Sequence, residues 1–168
     1  LADAGIPNPR SEARCLASHV LGLPLSRLLA DVDRVLAPGE QGELDRLAAL
    51  RARRIPLQHL TGSTGFMGLE IDVSPGVLVP RPDTETLVEA ALDFLAARAA
   101  SRPGLLRFLD IGTGTGCVAA ALSFHLRQRG IRHEALASDT SPEALALAAR
   151  NLARLDLAET VRDRKSVV

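Results

Sequence analysis

The sequence predicts an α/β fold, a parallel, doubly wound sheet preceded by a small helical unit and a β-hairpin linker. Three observations predict it. Leu109-Asp110-Ile111-Gly112-Thr113-Gly114-Thr115-Gly116-Cys117 joins an apolar run, an acid and three alternating glycines, as a buried strand does where it turns sharply into a helix. After it, apolar runs and helical periodicity alternate in βαβα order, which builds parallel sheets. Before it, residues 8–54 keep helical spacing, and residues 55–82 are broken by glycine and proline.

In order along the chain, Pro9 and Ser11-Glu12 open an amphipathic run through Ala13, Leu16, Ala17 and Val20, which Gly22 and Pro24 stop. A short helix is expected over 25–31. Pro38, Gly39 and Glu40 open a longer one with Leu44, Leu47 and Ala48 on one face. These make a helical domain over 1–54. Glycines at 62, 65, 68 and 76, prolines at 56, 75, 80 and 82, and the alternation Leu69-Glu70-Ile71-Asp72-Val73 read as a hairpin linker over 55–82. Pro82 then sits at a helix's first turn with acids behind it, and Leu87, Val88, Ala91, Leu92 and Leu95 carry that helix to about residue 100. A strand over 105–110, a helix over 116–130, a strand over 134–138 and a helix over 141–155 complete the third region, 83–168. Leu1 rather than Met begins the chain, and Val168 ends it just after a helix, so it reads as a fragment with a truncated sheet. A sheet stopping at its second or third strand leaves an unpaired edge and exposed apolar faces.

Composition narrows the partners. Twenty basic and twenty acidic residues cancel, so no global field draws the protein to nucleic acid or an anionic membrane. Aromatics at 2%, with no Trp or Tyr, leave little to stack bases on. Arg51-Ala52-Arg53-Arg54, the densest basic cluster, reads as a solvated helix end. No apolar run is long enough for a transmembrane helix, and Cys15 and Cys117 form neither a CxxC pair nor a disulfide framework. A monomeric cytoplasmic protein without membrane or nucleic-acid partners is expected. His19, His59, His125 and His133 have no ligand spacing, so no metal site is expected, and His59 is assigned to supporting the hairpin.

The glycine turn is the candidate ligand site. Positive φ at Gly112, Gly114 and Gly116 lets bare backbone approach a ligand, and the helix that follows offers unpaired N–H groups. The G-x-G-x-x-G spacing of dinucleotide enzymes is absent, since Cys117 stands where the third glycine belongs, and a nicotinamide dehydrogenase is disfavoured. Asp110 and Asp139 end successive strands and should meet at one sheet edge. Asp139, about 20 residues past the turn, suits the hydroxyls of a ribose, or alternatively caps the helix of Pro142. Asp110 either holds the turn or contacts the ligand. Thr113 and Thr115 belong to the same turn. Arg81, Thr84 and Glu85 stand at a helix N-terminus, where capping explains the last two equally well, and Phe66 is either a ligand cover or a core anchor.

The Asp110-to-Gly116 turn resembles motif I of the class I (Rossmann-like) S-adenosylmethionine-dependent methyltransferases. Pro56-Leu57-Gln58-His59-Leu60-Thr61-Gly62, Gly65-Phe66-Met67-Gly68-Leu69, and Val73-Ser74-Pro75-Gly76-Val77-Leu78-Val79-Pro80-Arg81-Pro82-Asp83-Thr84-Glu85 closely resemble the hairpin and linker of the HemK/PrmC glutamine N5-methyltransferases. With Asp139 the match covers almost the whole chain. The resemblance implies an enzyme that moves a methyl group from S-adenosylmethionine to a glutamine side-chain amide in peptide chain release factors, with the helical unit holding the protein substrate. It places the cofactor on Asp110, Gly112, Thr113, Gly114, Thr115, Gly116 and Asp139, and the cofactor or substrate entrance at Phe66, Arg81, Thr84 and Glu85. The family's Asn-Pro-Pro-Tyr loop, which binds the target amide, is not in this sequence, so no catalytic residue is assigned and the chain itself is expected to be inactive. The alternatives are a non-catalytic cofactor-binding remnant or adaptor, a ribosomal-protein glutamine methyltransferase, and an amino-methyltransferase of nucleic acid, which the charge balance disfavours.

Overall fold

The computed structural model describes residues 1–31, 33–102 and 104–165, with side chains to residue 162. It divides into two compact units, Leu1–Gly62 and Ser63–Val168.

The first unit is helical: α1 (Pro9–Leu21), α2 (Leu25–Ala30), α3 (Pro38–Ala52) and α4 (Leu57–Thr61). Pro9 and Pro38 stand at first-turn positions, where a missing N–H costs nothing. Gly22 ends α1 in the left-handed region, its N–H donating to His19 O and Ser18 O. Ile6, Leu16 and Leu47 form its buried apolar centre. The basic cluster is not simply solvated. The half-buried Arg51 guanidinium forks onto the Glu12 carboxylate, tying α3 to α1, and donates to Ile55 O at 3.1 Å. Glu12 holds the Arg51 pKa above its ordinary value, the hydrogen bond outweighing desolvation. Arg54 donates to Ala4 O at 3.1 Å.

The second unit begins with the antiparallel hairpin β1 (Ser63–Phe66) and β2 (Leu69–Asp72). Its two-residue turn, Met67-Gly68, has positive φ at both positions, 49° and 76°, as hairpin twist requires. Phe66, Leu69 and Ile71 enter the same core as Val88, Leu92 and Leu95 of α5 (Asp83–Ser101). The hairpin is therefore packed structure.

A three-stranded parallel sheet follows, in the order β3 (Leu106–Ile111), β4 (His133–Asp139), β5 (Val161–Lys165), with α6 (Cys117–Gln128) and α7 (Pro142–Arg154) as the crossovers. Leu106, Ala135, Ala137 and Val161 face the core beneath Ala119–Leu122 and Leu126 of α6. The small side chains let helix and sheet approach closely. The opposite sheet face is bare among the described residues, with Leu109 54% and Ile111 75% exposed. The parallel sheet with its helical crossovers matches the sequence expectation, and among the described residues both crossover helices lie on one face. The strands advance in one direction, so right-handed crossovers place both helices on one face; a doubly wound sheet needs the order to reverse.

Candidate cofactor site at the glycine turn

At the carboxyl ends of β3 and β4 the chain makes the turn Gly112-Thr113-Gly114-Thr115-Gly116 into α6. Gly112 and Thr113 donate their N–H groups to Ser138 O at 2.8 and 2.9 Å, so the turn hangs from the end of the neighbouring strand. Asp110 Oδ2 accepts from the Thr113 hydroxyl at 2.6 Å and from Ala119 N at 3.3 Å. Asp139 works from the other side. Its Oδ2 accepts from Gly114 N at 2.9 Å, and its Oδ1 accepts from Ser141 N at 3.0 Å, while the Ser141 hydroxyl caps α7 by accepting from Ala144 N. The cap of α7 is thus Ser141 and not Asp139, whose carboxylate braces the glycine turn and the Ser141 N–H just ahead of the helix.

Gly116 is required by space as well as by φ, and Gly114 by φ alone. At Gly116, φ 79°, a Cβ would lie 3.0 Å from Ala148 Cβ and 3.2 Å from Ala148 Cα, so α7 sits directly against the turn. At Gly114, φ 56°, a Cβ would meet Val77 Cγ1 at 3.8 Å. Around the turn lies a cavity of about 230 Å³, bounded by Leu78, Val79, Pro80, Arg81 and Thr84 on one side and by Asp110, the turn and Cys117 on the other. It is smaller than the roughly 300–1,000 Å³ of typical small-molecule sites, so it suits part of a nucleoside-sized ligand.

Burial raises the Asp110 pKa above its ordinary value; the Thr113 and Ala119 hydrogen bonds oppose this, and the nearby Asp139 charge adds to it. Burial likewise raises the Cys117 thiol, with Asp110 contributing, so the thiolate is disfavoured and Cys117 is a poor nucleophile. No group of three or more potential metal ligands occurs among the described residues. No helix among them is long and apolar enough to cross a membrane.

The structure brings Arg81, Thr84, Asp110 and the turn around one cavity, with Asp139 bonded to the turn. Phe66 and Glu85 are elsewhere. Phe66 is 1% exposed inside the core, because the hairpin packs on α5 and α6, so it covers no ligand. Glu85 turns to the hairpin, where its Oε1 accepts from Met67 N at 2.7 Å. His125 meets Met67 O at 3.0 Å, taking the hairpin role expected of His59, which lies in α4. Sequence reasoning missed Asn151. Its signal was a polar residue on the stripe of α7 carrying Ala144, Leu147 and Ala148.

The family model described as PrmC N-terminal domain matches residues 1–62, the span of the first unit. The release factor glutamine methyltransferase of Bordetella pertussis is 43% identical over 155 residues, 92% of this chain and 53% of that protein. That of Geobacter sulfurreducens is 42% identical over 154 residues, 92% of this chain and 50% of that protein. Residues 1–62 belong to the PrmC N-terminal domain family. The chain spans about half the length of these curated relatives. Among solved structures, the N-terminal domain of human METTL16 is similar at a TM-score of 0.48, with 23% identity over 72% of this chain and 42% of that one.

Proposed function

We propose that this chain is the substrate-recognition and cofactor-binding part of an enzyme that methylates a glutamine side-chain amide in peptide chain release factors, with S-adenosylmethionine as methyl donor. The observation that carries the reading is the glycine turn braced between Asp110 and Asp139 at the carboxyl ends of parallel strands, in a chain about 40% identical to proteins named for that reaction. The residues suit the cofactor. A Cβ at Gly112 would meet nothing within 4 Å, so the outer surface of the turn is open to a ligand. Asp139 has lone pairs for ribose hydroxyls, and Asp110 is a hydrogen-bonded acceptor at the cavity wall.

Bound there, the cofactor supplies a methyl group on a sulfonium, which a nucleophile takes by in-line displacement, a reaction governed by positioning. The turn and its two carboxylates fix the donor's place. Arg81 and Thr84 flank the cavity where a second reactant would approach. The second reactant is a glutamine amide, a weak nucleophile that needs acceptors for its N–H groups, and this sequence carries no Asn-Pro-Pro-Tyr to provide them. Cofactor uptake without methyl transfer is the expected behaviour of the chain.

Calorimetric titration with S-adenosylhomocysteine, with NAD as the competing ligand, tests this. One-to-one uptake of S-adenosylhomocysteine that Asp139→Ala weakens at least about tenfold is expected, since the variant also unpins Gly114. A folded chain that ignores S-adenosylhomocysteine, or prefers NAD, would sink the reading.

A further inference from the structure

Asn151 is fully buried in the interior of α7, where alanine would be the better helix former and an unpaired amide would be costly. Its placement is explained by what it joins. Oδ1 accepts from Asp72 N at 2.8 Å, and Nδ2 donates to Asp72 O at 3.0 Å and to Thr115 O at 2.9 Å. A single amide thus pairs with the last residue of β2 as a neighbouring strand would and holds a carbonyl of the glycine turn. Its orientation is determined, because flipping it would set Nδ2 against an N–H and Oδ1 against two carbonyls.

The surroundings make this link stiff. One helical turn earlier, Ala148 fills the space against Gly116, and one turn later Arg154 donates to Glu70 O of β2. The far end of the hairpin is fixed by Glu85 and His125 on Met67. Val77, just past β2, packs with Ala144 and Leu147 of α7 and lies beside Gly114. The hairpin and the turn are therefore two sides of one joint, with α7 as the pin.

We propose that Asn151 is a positioning residue that locks the hairpin to the glycine turn and so sets the affinity of the turn for the nucleoside cofactor. The affinity half of this rests on the cofactor reading above; the lock itself does not. Nothing in it requires Asn151 to touch the ligand.

The test measures amide hydrogen exchange on the 168-residue chain without ligand, then S-adenosylhomocysteine binding by calorimetry. In Asn151→Ala, the Gly114 and Gly116 amides should exchange about tenfold faster or more, while the Ala137 amide of β4 keeps its protection relative to the variant's global stability. Affinity should fall by about tenfold. Val161→Ala, a core deletion on β5 remote from the turn, should lower stability yet leave the turn amides and the affinity in place. Asn151→Asp keeps the volume and the acceptor for Asp72 N–H but loses the paired donors, and serves where Asn151→Ala does not fold. Turn amides that stay protected in both Asn151 variants overturn the lock. Unchanged affinity in variants whose parent binds overturns its role in the site. A loosened turn in a chain whose unaltered form takes up no S-adenosylhomocysteine upholds the lock and removes the cofactor reading instead.

Discussion

The two faces of the parallel sheet have opposite fates. Beneath α6 and α7 the strands present the buried Leu106, Ala135, Ala137 and Val161 to a close-packed core. On the reverse, Leu109, Ile111 and Leu136 of those strands stay open to solvent beside Arg107 and Glu134. Side-chain chemistry does not separate the faces, because both carry aliphatic residues; crossover direction does. The glycine turn, Asp139 and Asn151 are all organised by the covered face. The site thus draws its rigidity from one side of the sheet.

Substitutions that sharpen this contrast differ in size. Leu126→Ala, at a fully buried position of α6, should cost about 3 kcal/mol of unfolding free energy by chemical denaturation, the range for core leucine deletions. A loss below about 1 kcal/mol would mean the covered face is looser than its packing implies. Gly116→Ala follows, at roughly 1–3 kcal/mol for a side chain at positive φ, with the added contact on Ala148. It should also abolish S-adenosylhomocysteine binding, as Gly112→Ala, facing open space, should not do by crowding α7.

Charge burial gives a pH test of the covered face. The Asp110 pKa is raised in the folded state, so between its ordinary and raised values the folded chain holds more protons than the unfolded one. Stability therefore falls as pH rises through that window and stays lowered above it. Asp110→Asn keeps an acceptor for Thr113 and Ala119 while removing the charge. Its melting temperature should exceed the parent's at neutral pH, and the gap should close below the ordinary carboxylate range. A variant less stable than the parent at every pH would show that the carboxylate's hydrogen bonds outweigh its desolvation.

On the bare face the effects should nearly vanish. Ile111→Thr should shift stability by no more than about 0.5 kcal/mol, and Arg107→Ala, which breaks a solvent-exposed pair with Glu134, should also fall within about that amount. A large loss at Ile111 would reveal a cover that the described residues do not contain.

What was legible in the sequence was local. The apolar run, the three glycines and the following helix announce β3, the turn and α6 within a short span, and the glycines with the Leu69–Val73 alternation mark a hairpin. What was not legible depends on partners far along the chain. The residues of β5, Val161-Arg162-Asp163-Arg164-Lys165, show no apolar alternation; their extended form comes from pairing with β4. Helix α4 is too short, at five residues, to show a period between Pro56 and Gly62. Phe66 and Glu85 lie in the motif that pointed to a ligand, yet each was claimed by the hairpin, a contact no spacing rule contains. Asn151 looks like an ordinary helical residue until its partners appear 79 and 36 residues away.

The bare face has a further effect, on the liquid the protein is kept in. On its outer side β3 has no neighbouring strand among the described residues, and it borders exposed Leu109 and Ile111 in a molecule of formal net charge zero. Net repulsion is small, and among the described residues no layer covers that surface, so two such surfaces can meet. Colloidal behaviour, more than melting, should set the working range: light scattering should rise with protein concentration near neutral pH and recede in Ile111→Lys.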